Sequence, residues 1–106
     1  MDKSKTRKMI IGQKLRELRE KKGLLLRQVA AELEVDTAYM SKMERGEKNI
    51  KREFIIKLAE IYRTDKDQLL TIWLADMVYD ILKEEDLAKQ ALDLAGKHIE
   101  LIKKRK

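Results

Sequence analysis

Ala38, Ser41, Lys42 and Arg45 recur at i, i+3, i+4 and i+7, the spacing that lines side chains up on one face of an α-helix. With Thr37 ahead of them they offer small or hydroxyl-bearing groups at one end of that face and cations toward the other. Such a face can do contact chemistry with DNA. Short residues let a helix approach base edges in the major groove, and cations meet guanine acceptors or phosphate. Thr37 can hydrogen-bond several bases and also offers a methyl. Ala38 can only touch a thymine methyl, and Lys42 reaches the two acceptors on the guanine edge. Any solvated helix can carry such a face, so the pattern alone favours the plainer reading.

Catalytic chemistry finds much less to work with. The 106 residues contain no cysteine, no proline and one histidine. That removes disulfides, thiolate nucleophiles and Cys-based zinc sites, and one His cannot build a multi-His metal site. There is no Gly-rich phosphate loop and no HExxH or DxDxD pattern. Glu84-Glu85 pairs two carboxylates on a polar stretch with no partner base. The expectation is no enzyme, no cofactor and no metal. His98 reads as the edge of an apolar face.

Charge points the same way. The formal net charge is +6, but it is unevenly spread. Residues 1–64 hold 17 Lys/Arg against 10 Asp/Glu, a net of +7, and residues 65–106 hold 8 against 9, a net of −1. A polyanion would meet the first part. No signal-peptide pattern opens the chain, and no apolar run nears the roughly 20 residues that span a bilayer. The expectation is a cytoplasmic protein without a membrane segment.

The elements that must position these residues read as helices. Residues 1–8 form a basic N-terminal arm. Ile11, Leu15 and Leu18 define an amphipathic helix from Met9 to Lys22, stopped by Gly23. A second runs from Leu26 to Glu34 with Val29, Ala30 and Leu33 inward. Asp36 is placed to N-cap a third, Thr37 to Arg45, with Met40 and Met43 inward and Gly46 as its stop. A fourth, from about Lys51 to Tyr62, buries Ile55, Leu58, Ala59 and Tyr62. Thr64 with Asp67 three residues on has a capping-box pattern for a fifth. Leu70, Trp73, Leu74, Met77 and Ile81 form one later stripe. Ala88, Ala91, Leu92, Ala95, Ile99 and Ile102 form another. Glu84-Glu85-Asp86 interrupts them, which predicts two helices meeting there; one helix of almost 40 residues is the alternative.

The stretch GLLLRQVAAELEVDTAYMSKMERGEKN resembles the signature of the Xre/Cro-like (lambda-repressor-like) helix-turn-helix regulators, notably "LA…LGVS…YIS.IERG". It matches at Val29-Ala30, Leu33, Val35, Tyr39-Met40-Ser41 and Met43-Glu44-Arg45-Gly46, and the likeness runs from about Ile11 to Leu70. It implies an all-α fold: a five-helix lambda-repressor-like domain over residues 9–70, with a C-terminal helical extension over 71–106. It implies that Thr37, Ala38 and Lys42 face base edges, that Tyr39, Ser41 and Arg45 touch backbone or adjoining bases, and that Lys48, Asn49, Lys51 and Arg52 follow the phosphates. It also implies a structural ion pair between Arg19 and Glu44. The Ser-Gln pair usual at the start of the second helix is replaced by Leu25 and Leu26, leaving Arg27 and Gln28 to take over its phosphate contact. Glu34 stands where the turn often has Gly, and Ile50 where a proline is usual.

One such unit covers only a few base pairs, and regulators of this class dimerise so that two third helices meet successive turns of the major groove. Leu69, Ile72, Trp73, Val78, Tyr79, Leu82 and Leu101 are more apolar side chains than one or two helices bury against themselves. They point to a homodimer surface. The reading is a homodimeric regulator of double-stranded DNA acting on an inverted repeat, in the manner of restriction–modification controllers. The alternative is an antitoxin-type protein whose C-terminal helices bind a partner toxin.

Overall fold

Each of the first four helices ends where the backbone turns left-handed: at Gly23 (φ 70°), Glu34 (62°), Gly46 (77°) and Arg63 (54°). In all four, the next amide donates to a carbonyl five residues back. The bonds are Leu24 to Arg19, Val35 to Ala30, Glu47 to Lys42 and Thr64 to Ala59, at 2.8–3.1 Å. This closure satisfies carbonyls that a helix end leaves open, so the chain is cut into short pieces by local chemistry. The computed structural model describes residues 10–105. Its helices are α1 (Ile10–Lys21), α2 (Leu26–Leu33), α3 (Thr37–Glu44), α4 (Arg52–Tyr62), α5 (Lys66–Leu82) and α6 (Ala88–Arg105), with no strand among the described residues. The expected basic arm, residues 1–8, lies outside them.

The starts are less uniform. Asp36 caps α3, accepting from the Tyr39 amide at 2.7 Å. Thr64 is not the N-cap of α5, and its amide, which closes α4 by donating to the Ala59 carbonyl, is not free to take the Asp67 half of a capping box. Asp65 is the cap instead, accepting from the Asp67 amide at 3.1 Å. The first turn of α1 is served from far away: the Ile11 amide donates to Asp76 Oδ2 of α5 at 2.7 Å, across 65 residues.

One core holds α1 to α5 together. Ile11, Leu15, Met40, Met43, Ile55, Leu58, Tyr62 and Leu69 are all fully buried in it. At about 1.5–3 kcal/mol per buried aliphatic side chain, this core is the main favourable term in the fold. α1 crosses α3 closely enough that a Cβ on Gly12 would lie 2.6 Å from the Met43 carbonyl oxygen and 2.7 Å from that of Glu44.

This core corrects two assignments. Leu69 (0% exposed) and Trp73 (7%) are buried in the chain's own core and offer nothing to a partner. Ile72 is half-buried against the same core. The apolar stripe on α5 begins as core at Leu69 and Trp73 and is already surface at Leu74. Val78, Tyr79 and Leu101 are exposed and Leu82 half-buried.

A turn over residues 83–87 separates α5 from α6, so the C-terminal third is two helices. From Lys89 to Lys104 every residue is exposed. The radius of gyration is 15.8 Å, against about 13 Å for a compact chain of this length. Among the described residues no helix is long and apolar enough to cross a membrane.

Candidate nucleic-acid interface

α2, the turn Glu34–Asp36 and α3 make a helix, a tight turn and a second helix. Met40 and Met43 are fully buried, and Glu44 nearly so. That fixes the rotation of α3 and leaves Thr37, Ala38, Lys42 and Arg45 exposed on its other side, with Ser41 half-buried. The structure thus brings these five onto one outward face. Tyr39 does not join them fully. It is half-buried, edge-on to Phe54 at 6.3 Å between ring centroids. Lys48 Nζ lies 6.0 Å from its ring centroid, so Tyr39 links α3 to the segment that follows.

That rotation is held by a charged clamp. Arg19 donates from Nε to Glu44 Oε2 at 2.8 Å and from Nη2 to Oε1 at 3.1 Å. Its Nη1 reaches the Leu24 carbonyl at 3.0 Å. The two side chains are 13% and 5% exposed. The hydrogen bonds to Glu44 push the Arg19 guanidinium further up. A planar fork on a carboxylate fixes orientation as well as distance, so α1 sets how α3 presents its face.

Lys48, Asn49, Lys51 and Arg52 all project into solvent. Their loop is anchored from beneath. Trp73 Nε1 donates to the Ile50 carbonyl at 2.7 Å in a buried bond, and the Arg52 guanidinium carbon lies 5.1 Å from the Trp73 ring centroid. An indole N–H buried in a core needs a partner; here that need pins the loop beside α3. Trp73 is therefore a positioning residue for this surface.

Arg45, Ser41 and Gln28, three of the candidate residues, are engaged within the chain. Arg45 makes a fork to Glu47, Nε to Oε2 at 3.0 Å and Nη2 to Oε1 at 3.1 Å, and its Nη1 donates to Ser41 Oγ. The bond to Glu47 pushes the Arg45 guanidinium up and holds the Glu47 carboxyl below its ordinary range. Gln28 Oε1 accepts from the Leu25 amide at 2.7 Å. That is one half of a capping box, since Leu25 has no oxygen to return the bond. Arg27 beside it is exposed. Among the described residues no cluster of His, Asp and Glu could hold a metal ion.

Glu47, Trp73, Asp76 and Gly12 matter to this surface, and local pattern assigned none of them that part. Trp73 carried a signal: it stands at i+4 from Leu69, with an N–H to satisfy.

Comparison with known proteins agrees with the geometry. Over 62 residues the chain is 36% identical to the HTH-type transcriptional regulator DdrOP3 of Deinococcus deserti. The match covers 58% of this chain and 48% of that protein, so the chain spans about half the length of that relative. No solved structure matches it significantly. The match to the helix-turn-helix domain covers residues 10–71, the stretch in which α1 clamps α3 and the turn after α2 aims it, and the chain belongs to the helix-turn-helix domain family.

Proposed function

We propose that this chain is a sequence-specific DNA-binding transcriptional regulator that places α3 in the major groove of double-stranded DNA and acts as a homodimer on an inverted repeat. The observation that carries this reading is the exposed face of α3 continued by the cationic loop Lys48–Arg52, on the part of the chain that holds the basic surplus. Thr37, Ala38 and Lys42 read base edges; Ser41, Arg45, Lys48, Asn49, Lys51 and Arg52 meet phosphate and fix register. Arg27 and Gln28 flank the start of α2, where helix amides suit an anion. Resemblance to stand-alone regulators extends the reading to an autoregulatory role of the restriction–modification controller kind.

Selection of bound sequences from a random duplex pool tests this. The expected product is an inverted repeat with half-sites about one helical turn apart, about 34 Å. Its affinity should fall by about 10³–10⁵ between 50 and 200 mM salt if a dimer makes about 6–10 phosphate contacts. Lys42→Ala should relax the preference at one position, whereas Lys51→Ala should weaken all sequences alike and reduce the salt slope by about 1. A pool that emerges without a shared sequence would sink the proposal.

A further inference from the structure

Ala88, Leu92, Ala95, Ile99 and Ile102 follow one another at spacings of 4, 3, 4 and 3 along α6, the seam of a helix that pairs with another helix. The chain itself covers only its beginning. Ala88 and Leu92, with Ala75, Val78, Tyr79 and Leu82 of α5, line an open apolar groove of about 590 Å³. Beyond it, Ile99 (56%) and Ile102 (59%) stand in solvent. Between Leu74 and Ile102, eleven large apolar side chains are 38–73% exposed. Five of them, Val78, Tyr79, Leu92, Ile99 and Ile102, lie along the groove and seam, and an exposed apolar strip of that kind marks an interaction surface.

We propose that the occupant of this groove and seam is a second copy of the chain, whose α6 lies antiparallel to this one across a twofold axis at Ala95. This rests on the homodimer reading above and gives it a register. Ala88 then faces Ile102 of the second copy, Leu92 faces Ile99, and Ala95 faces Ala95. Each outer layer sets a smaller side chain against a larger one or two of like size, and the groove receives the second copy's Ile99 and Ile102. A parallel pairing would set Ala88 on Ala88 and Ile102 on Ile102, a gap at one end and crowding at the other. Charge selects the same direction. Glu84, Glu85 and Asp86 stand just before α6, and Lys103 and Lys104 near its end; Lys83 and Lys89, which also line the groove, are paired within the chain to Asp80 and Asp93, so antiparallel pairing brings opposite signs together at both ends. Gly96, where a Cβ would meet nothing in its own chain, adjoins the axis, where two backbones approach most closely.

The chain has no cysteine, so single engineered thiols report the register without DNA. Ala95→Cys should oxidise to a species of twice 12.5 kDa on a non-reducing gel, because only residues at the axis meet their own copies within disulfide reach. Its crosslinked fraction should exceed that of Ile102→Cys alone by about tenfold. Mixing Ala88→Cys with Ile102→Cys protein should restore crosslinking. Ile102→Cys crosslinking as readily as Ala95→Cys would mean a parallel pair and overturn the proposal. A wild-type dimer by sedimentation with no Ala95→Cys crosslink would overturn the register and leave the dimer reading standing. A wild-type monomer that pairs only with a different protein would overturn both. None of these outcomes bears on DNA recognition, which the sequence selection decides.

Discussion

The Tyr62 hydroxyl is buried with no hydrogen-bond partner among the described residues. Burial, and then nearby Glu44, push its pKa upward. A group raised on folding adds stability in full below its unfolded value, near 10 for tyrosine, and loses that contribution as pH rises through the folded value. Tyr62→Phe should therefore flatten the fall in melting temperature above about pH 10. At neutral pH it should cost little or gain up to about 1 kcal/mol, since no bond is lost. Melts across a pH series check both; an unchanged alkaline limb would count against the argument. Glu47 acts at the same scale on the proposed DNA surface. It occupies Arg45 in the fork described above, so a phosphate must displace it. Glu47→Gln should raise affinity for random duplex by roughly two- to fivefold, as an exposed pair is weak, and narrow the gap between random and selected sequences. Fluorescence anisotropy on both duplexes would show it.

Helix boundaries were legible to within a residue or two because their signals are local: the two glycines, Asp36, and the inward spacing of Ile55, Leu58 and Tyr62. Misreadings arose where a local signal was already spent, as with Thr64, or where burial depends on another element, as with Leu69 and Trp73. Periodicity gives the face of a helix but not what covers it. Gly12 and Asp76 were invisible for that reason, since what they serve lies in α3 and α1. The exposed face of α3 follows from local spacing; the clamp that aims it came only from family resemblance. Two substitutions test the element-level account. Glu34 holds a left-handed backbone that costs a non-glycine residue about 1 kcal/mol, so Glu34→Gly should raise the melting temperature by roughly 4 °C. Gly12→Ala should lower the urea midpoint by the equivalent of about 1–3 kcal/mol, because the atoms in its way are backbone carbonyls and cannot rotate aside.

As a whole, the molecule divides at the turn after α5. A chain ended after Lys83 keeps every buried core residue. It should melt within a few degrees of the full chain and sediment as a monomer. A chain ended after Thr64 loses Leu69, Trp73 and Asp76. Losing two large core side chains removes about 5–10 kcal/mol of the about 5–15 kcal/mol that stabilises a domain, and the Ile11 amide loses its partner as well, so its melt by circular dichroism should fall far below that of the full chain or lose its cooperativity. The bond from Ile11 to Asp76 also has a consequence in time. The opening turn of α1 is completed by a residue 65 positions later, and closing so long a loop carries an entropic cost before the contact forms. α1 and α5 must therefore settle together. Because α1 carries the clamp that aims α3, the exposed face of α3 should become fixed in the emerging chain only once α5 has been synthesised and docked.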